Sequence, residues 1–263
     1  MTILSRSFGT ATPAGTPAGV AGWIHSLESG ATADGPGVRF VVFLAGCPLH
    51  CLYCHNPDTQ HMHDGTRTTS AAVLAEIEGV AGFLRHGHGG VTLSGGEPLV
   101  QPDFAAAILR GCKRLGLHTA LDTSGFLGSH ATDALLADVD LVLLDIKAFK
   151  EATYRHLTGA PLRPTLEFAE RLALMHKPIW LRYVLVPGLT DDGREIAGLA
   201  EFAAGLGTVE RVDVLPFHKM GEAKWHALGR PYQLTDTPPP TAEQTERVRR
   251  IFKAEGLAVA GLE

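Results

Sequence analysis

Three of the four cysteines in this chain, Cys47, Cys51 and Cys54, fall within eight residues, in the run Cys47-Pro-Leu-His-Cys51-Leu-Tyr-Cys54-His55. Such clustering in a chain of this size points to metal or redox chemistry. Thiolates at x3 and x2 spacing can bind one cubane iron–sulfur cluster from a single loop. Such a cluster ordinarily takes four cysteines, so three leave one iron open to a small molecule. An open coordination position gives chemistry a place to happen, as it does on a catalytic metal. Other readings fit the same residues. Cys51-Leu-Tyr-Cys54-His55 has the C-x-x-C-H pattern of haem attachment, and three cysteines with His50 or His55 would make a structural zinc site. Buried, unliganded cysteines are the plain alternative. Cys112 stands alone in a helical stretch and reads as a small buried hydrophobe.

A second run, Thr92 to Pro98, contains Gly95, Gly96 and Glu97 at the end of a short strand. Glycines there let backbone approach a ligand closely, and Glu97 adds an acceptor for an ammonium. The same run is also an ordinary βα turn. Asp145 and Lys147 end an apolar strand, as a surface pair or as groups facing a ligand. Arg182 sits mid-strand in Ile-Trp-Leu-Arg-Tyr-Val-Leu-Val. A strand covered on both faces would bury its guanidinium, which then needs an anionic partner, a protein carboxylate or a ligand. His218 follows the last strong strand, and Asp34 opens an Asp-Gly-Pro-Gly turn in which it serves at least as a turn former. His61, His63, His86 and His88 lie in polar or glycine-rich loops and read as solvated.

The elements that must position these groups alternate. A strand at 38–44 leads into the cysteine run. After it come a helix at about 69–85 and a strand at 90–94, a helix at 102–115 and a strand at 117–122, then a helix at 131–137 and a strand at 140–147. Helices near 150–157 and 164–175 precede a strand at 179–186, and a helix at 191–205 precedes one at 209–215. The strands are near-continuous Val/Leu/Ile runs, the mark of parallel strands covered on both faces. About six βα units fall short of the eight of a full barrel, so an incomplete barrel is expected. The cysteine loop and the Gly-Gly-Glu run both follow strands, at the end of a parallel sheet where ligands bind. Thr241-Ala-Glu-Gln244 starts the last helix as a capping box.

With 263 residues, 45% hydrophobic and 19% charged, the composition is globular and excludes a disordered or collagen-like chain. Net charge is −5, from 23 basic and 28 acidic residues, with no long basic run. No nucleic-acid or membrane-surface partner is expected on that balance. Residues 1–19 are rich in Thr, Ala, Gly and Pro and read as a flexible tail, with 20–263 as one domain. No stretch approaches a membrane span, and the tail lacks the apolar core of a signal peptide, so a cytoplasmic location is expected.

C-x3-C-x2-C after the first strand and Gly95-Gly-Glu-Pro98 after the second resemble the radical S-adenosylmethionine (radical SAM) superfamily. Asp34-Gly-Pro-Gly37, Asp122-Thr-Ser-Gly125, Leu144-Asp-Ile-Lys147, the run Trp180–Gly188, and Leu215-Pro-Phe-His218 with Gly221 and Lys224-Trp225 narrow the resemblance. Together they look like the activating enzymes of glycyl-radical enzymes, from about Gly22 to the C-terminus. No cysteine lies between Cys54 and Cys112, so a ferredoxin-like insert is not encoded, and the chain is similar to the pyruvate formate-lyase type.

The resemblance implies an α/β fold, an incomplete (β/α)6 TIM-like barrel of parallel strands. It implies a [4Fe–4S] cluster on Cys47, Cys51 and Cys54, the catalytic centre, that cleaves S-adenosylmethionine reductively. Methionine and a 5′-deoxyadenosyl radical would result, and the radical would take a hydrogen from a glycine of pyruvate formate-lyase. Tyr53, Cys54, His55, Gly95, Gly96, Glu97, Asp145, Ile146, Lys147 and His218 would contact S-adenosylmethionine. A monovalent cation would sit on Asp122, Thr123, the Leu143 carbonyl and Asp145. Asp34 and Arg182 would meet the peptide substrate. A monomer fed by a donor such as flavodoxin or ferredoxin is expected. Two rivals stand beside this reading: radical SAM chemistry on another glycyl-radical partner or a small molecule, and a non-catalytic zinc or iron–sulfur protein.

Overall fold

The structure, a computed structural model, describes residues 19–260. The expected tail at 1–19 lies, but for Gly19, outside the described residues. The described chain divides into two compact units, residues 19–48, 59–123 and 129–142 in the first and 49–58, 124–128 and 143–260 in the second. Among the described residues no helix is long and apolar enough to cross a membrane.

The first unit holds β1 (Ala21–Ala31), β2 (Arg39–Leu44), β3 (Thr66–Thr69), α1 (Ser70–His86), β4 (Gly90–Gly95), α2 (Pro102–Arg114), β5 (His118–Thr123) and α3 (Asp133–Ala137). Its strand order is β3-β1-β2-β4-β5. The β2–β4 and β4–β5 pairs are parallel, while β1 runs antiparallel to both its neighbours. The parallel strands and helices fall where the apolar runs place them. Sequence reading missed β1 and β3. β1 alternates poorly, is mostly half-exposed and carries two register shifts, so it lacks a strand's period-2 signature. α1 starts where Thr69 accepts the Ala72 N–H, and buries Val73, Ile77 and Leu84. Residues paired across parallel strands share a face. Arg39, Val41 and Phe43 therefore line up with Gly90, Thr92 and Ser94, and Gly90 and Thr92 with His118 and Ala120.

β6 (Leu141–Asp145) begins at the end of the first unit and finishes in the second, and its four apolar residues are all buried, as their unbroken run predicts. The second unit continues through α4 (Glu151–Thr158), α5 (Arg163–Leu174), β7 (Ile179–Leu185), α6 (Gly193–Leu206), β8 (Val209–Pro216), α7 (Glu222–Ala227), α8 (Ala242–Ala254) and β9 (Val259–Ala260). β7, β8 and β9 pair in parallel. Asp192 caps α6, which stops at Gly207 in the left-handed region. The capping box of Thr241 and Gln244 forms as expected at the start of α8. α6 and α8 pack on β8, burying Ile196, Leu199, Val248 and Phe252.

One expectation fails here. β7 is not covered equally on both faces: Ile179, Leu181, Tyr183 and Leu185 are buried, whereas Trp180, Arg182 and Val184 are half-buried. Arg182 as a whole residue is thus half-buried, although its Nε is itself buried. Its cross-strand neighbour is Asp213, which Arg211 engages at 2.5 Å.

Candidate active site

In the first unit, β2 ends at Leu44 and the chain turns through Ala45 and Gly46 into Cys47, whose N–H donates to the Gln60 carbonyl at 3.0 Å. Buried Gln101 steadies this turn. Its amide donates to the Trp23 and Ala45 carbonyls at 2.8 and 2.9 Å, and its oxygen accepts the Trp23 N–H at 2.8 Å. The Gly95-Gly96-Glu97 turn lies against the same segment. The N–H groups of Gly96 and Glu97 donate to the Leu44 and Gly46 carbonyls, both at 2.8 Å. A Cβ on Gly95 (φ +106°) would stand 2.4 Å from the Leu44 nitrogen, and one on Gly96 2.3 Å from the Gly46 oxygen. On the side where a Cβ would stand, these glycines admit protein backbone. Glu97 is buried, and its carboxylate accepts the Thr123 hydroxyl at 2.7 Å and the Leu99 N–H at 3.2 Å. Asp122 accepts the Ser94 hydroxyl at 2.6 Å. Asp34 is half-buried, with its carbonyl taken by the Thr92 hydroxyl at 2.6 Å.

In the second unit, Cys51 and Cys54 are half-buried in a loop seated on the end of α4. His50 and Leu52 donate to the Thr158 and Leu157 carbonyls at 2.8 and 3.0 Å. Distant residues grip the far side of this loop. The Trp225 indole N–H donates to the Cys54 carbonyl at 2.9 Å. The Lys224 ammonium reaches Asn56 Oδ1 at 2.9 Å and Asp58 at 3.1 Å. Gly221 lies so close that a Cβ would stand 2.8 Å from both the Cys54 oxygen and the His55 Cα. His55 stacks on His218, with ring centroids 4.2 Å apart, and its Nε2 donates to the His218 carbonyl at 3.2 Å.

Lys147 pairs with Asp145 at 2.7 Å, and its ammonium stands 5.9 Å from the Tyr53 ring centroid. Burial works most strongly against that ammonium, but Asp145, Tyr53 and Cys51 together outweigh it and hold the Lys147 pKa well above the ordinary lysine value. Ile146, between them, is buried. Burial pushes the Cys51 thiol up to about 12, against the lowering pull of Lys147, and raises Cys54 in the same direction. Burial likewise lowers His55, reinforced by His218, so its ring is neutral at pH 7.

The donor set fits an iron–sulfur cluster. Cys47, Cys51 and Cys54 form no disulfide, and thiolate sulfur is the ligand such clusters take. The buried hydroxyls of Tyr53 and Tyr232 have no hydrogen-bond partner among the described residues, and both rings sit in the apolar cluster that contains Leu52 and Trp225. Buried donors of this kind call for an acceptor. Taking each unit alone, no three His, Cys, Asp or Glu side chains among the described residues gather around a metal position. Cys47 belongs to the first unit, and Cys51 and Cys54 to the second. The same division separates Asp122 and Thr123 from Leu143 and Asp145.

Comparison with known proteins decides the family. The model of the radical SAM superfamily matches residues 41–200. The pyruvate formate-lyase 1-activating enzyme of Escherichia coli (strain K12) is 43% identical over 242 residues, covering 91% of this chain and 98% of that protein. The chain belongs to the radical SAM superfamily, within the family of pyruvate formate-lyase-activating enzymes. The pyruvate formate-lyase-activating enzyme of Staphylococcus epidermidis is 40% identical over 242 residues, covering 89% of this chain and 96% of that one. A crystal structure of a domain of such an enzyme from Bacteroides vulgatus superposes with a TM-score of 0.55 at 27% identity, over 65% of this chain and 98% of that one. The α/β class expected from the sequence, the incomplete (β/α)6 barrel, is thus the radical SAM fold, and its parallel βα units are those described above.

Two residues to which sequence reading gave no role, Arg39 and Gln101, hold backbone carbonyls in the first unit. Gln101 had no motif to mark it. Arg39 did have a signal, a lone cation at the start of an otherwise apolar strand.

Proposed function

We propose that this chain is the activating enzyme of a pyruvate formate-lyase, installing the glycyl radical on that partner. The reading is carried by one observation: a three-cysteine loop without a disulfide, in a chain that matches such an activating enzyme over 98% of that enzyme's length. When bound, a [4Fe–4S] cluster and S-adenosylmethionine supply the reductive cleavage to methionine and a 5′-deoxyadenosyl radical, which abstracts the glycine hydrogen.

The chain's own residues bind, orient and shield. Cys47, Cys51 and Cys54 hold the cluster, each giving up a thiol proton as iron binds. Burial disfavours the bare thiolates, so the loop keeps its protons until metal arrives. The flat, stacked pair of His55 and His218 suits a purine ring, with Tyr53 beside it. Lys147 stays charged beside Asp145 and offers its ammonium to an anionic group, while Gly95, Gly96 and Glu97 hold the methionine amino end. Asp122, Thr123, the Leu143 carbonyl and Asp145 are hard oxygen donors suited to a monovalent cation. Arg182 and Asp34 receive the peptide that carries the glycine. A flavodoxin- or ferredoxin-type donor supplies the electron. Residues 20–263 act as one core domain, a reading supported by a family match that takes in residues of both units.

The test is anaerobic. The chain is reconstituted with iron and sulfide, reduced, and mixed with S-adenosylmethionine and a pyruvate formate-lyase. Electron paramagnetic resonance should show a glycyl-radical doublet that needs every component. Formation of 5′-deoxyadenosine without a doublet would reject this partner and keep the radical chemistry. Neither signal from a chain with about four irons would reject the reading.

A further inference from the structure

Arg39 is fully buried at the first position of β2. Burial lowers its pKa to about 10, so it remains a cation at pH 7. A buried cation is expected to meet a carboxylate. Arg39 instead spends its fork on other groups. Nε donates to Thr92 Oγ1 at 2.9 Å, one terminal nitrogen to the Val91 carbonyl at 2.6 Å, and the other to the Pro36 carbonyl at 3.3 Å and His118 Nδ1 at 3.2 Å. The charge it feels most strongly through space is that of Asp34.

Thr92 completes the arrangement. Its hydroxyl accepts from Arg39 and donates to the Asp34 carbonyl at 2.6 Å. One linked pair of side chains thus holds the carbonyls of both residue 34 and residue 36. The glycines of the turn make this possible. Gly35 (φ +128°) lies against Arg39, where a Cβ would stand 3.2 Å from Nε, and Gly37 (φ +66°) packs so that a Cβ would stand 2.3 Å from the His88 oxygen. Stability alone does not call for an arginine here, since an apolar residue of similar volume fills such a site without a desolvated charge. What the fork adds is geometry: several backbone and hydroxyl oxygens fixed at once.

We propose that Arg39 and Thr92 are positioning residues for substrate recognition, holding the Asp34–Gly37 turn so that Asp34 is preorganised to meet the backbone of the glycine-bearing peptide. This rests on the reading of Asp34 as a substrate contact. Preorganisation of this kind lowers the cost of binding and leaves the chemical step alone.

The experiment measures KM and kcat for pyruvate formate-lyase with Thr92→Val, Arg39→Lys, Asp34→Ala and the double variant Asp34→Ala/Thr92→Val. Loss of one or two hydrogen bonds should raise KM about three- to tenfold in Thr92→Val, with kcat held. Iron content and partner-free formation of 5′-deoxyadenosine should not change. The amides of residues 34, 35, 37 and 38 should exchange hydrogen faster. In the Asp34→Ala background, Thr92→Val should add nothing further to KM, because both changes act through one carboxylate. If Asp34→Ala raises KM but Thr92→Val does not, or if their effects add, positioning is overturned and the Asp34 reading stands. An unchanged KM in Asp34→Ala overturns the Asp34 reading itself. Should Arg39→Lys fail to fold, the nearly isosteric Thr92→Val still decides.

Discussion

The Asp34–Gly37 turn and the cysteine loop at 49–58 are held by opposite strategies. The turn is gripped by the strands beside it, through Arg39, its neighbour in sequence, and Thr92 on the adjoining β4. The cysteine loop rests on α4 and is gripped by Gly221, Lys224 and Trp225, 166 to 171 residues away for the bonded pairs. The first grip is set once a parallel pair of strands has formed. The second exists only when the chain after β8 has come back over the loop. A local grip gives rigidity early in folding, whereas a long-range grip makes the geometry of a metal-binding loop depend on the completed unit.

The largest effect tests the loop itself. Cys51→Ala should give a folded protein without a complete cluster and with glycyl-radical formation at background, read by iron analysis, circular dichroism and electron paramagnetic resonance. A variant that still cleaved S-adenosylmethionine would sink the mechanism.

Gly221→Ala comes next. Its backbone is not in the left-handed region, so the added Cβ acts only by pressing on Cys54 and His55. Overpacking of this kind costs about 1–3 kcal/mol. Iron retained after reconstitution should fall, while hydrogen exchange in the Asp34–Gly37 turn should not change. Trp225→Phe is gentler, because it keeps a ring and removes one N–H donor. Chelator-driven iron release should speed up about three- to tenfold, from one lost hydrogen bond. Release at the parent rate would show that packing, not the bond to Cys54, holds the loop.

The smallest effect belongs to the first unit. Asp140 accepts Lys113 at 2.6 Å and the Thr119 N–H at 2.9 Å. Partial burial would raise its pKa, but Lys113 and Thr119 together outweigh it and hold the carboxyl below its usual value. A depressed folded-state pKa stabilises above the unfolded value of about 3.9 and is lost as pH falls through the folded one. Asp140→Asn should therefore destabilise by about 1 kcal/mol at pH 7, given its exposure. Urea melts should show the gap closing as pH falls below the ordinary carboxylate range. A gap independent of pH would mean that packing, not charge, fixes this end of the sheet.

The amino-acid sequence by itself determined the order of parallel strands and helices from β2 to β8, because apolar runs and caps report burial and helix starts one residue at a time. It also marked the three-cysteine loop, since thiol spacing within one turn is a local property. β1 stayed hidden because a half-exposed strand with register shifts carries no periodic signal, and β3 because it is four polar residues with none buried. The tertiary structure alone decided what the missing side chains of Gly95 and Gly96 make room for, which is the backbone of Leu44 and Gly46. It also decided that one face of β7 is only partly covered, and that Trp225 and Lys224 seize the cysteine loop. Those outcomes are contacts between residues far apart in the chain, and no residue type or spacing encodes its partner across such a distance.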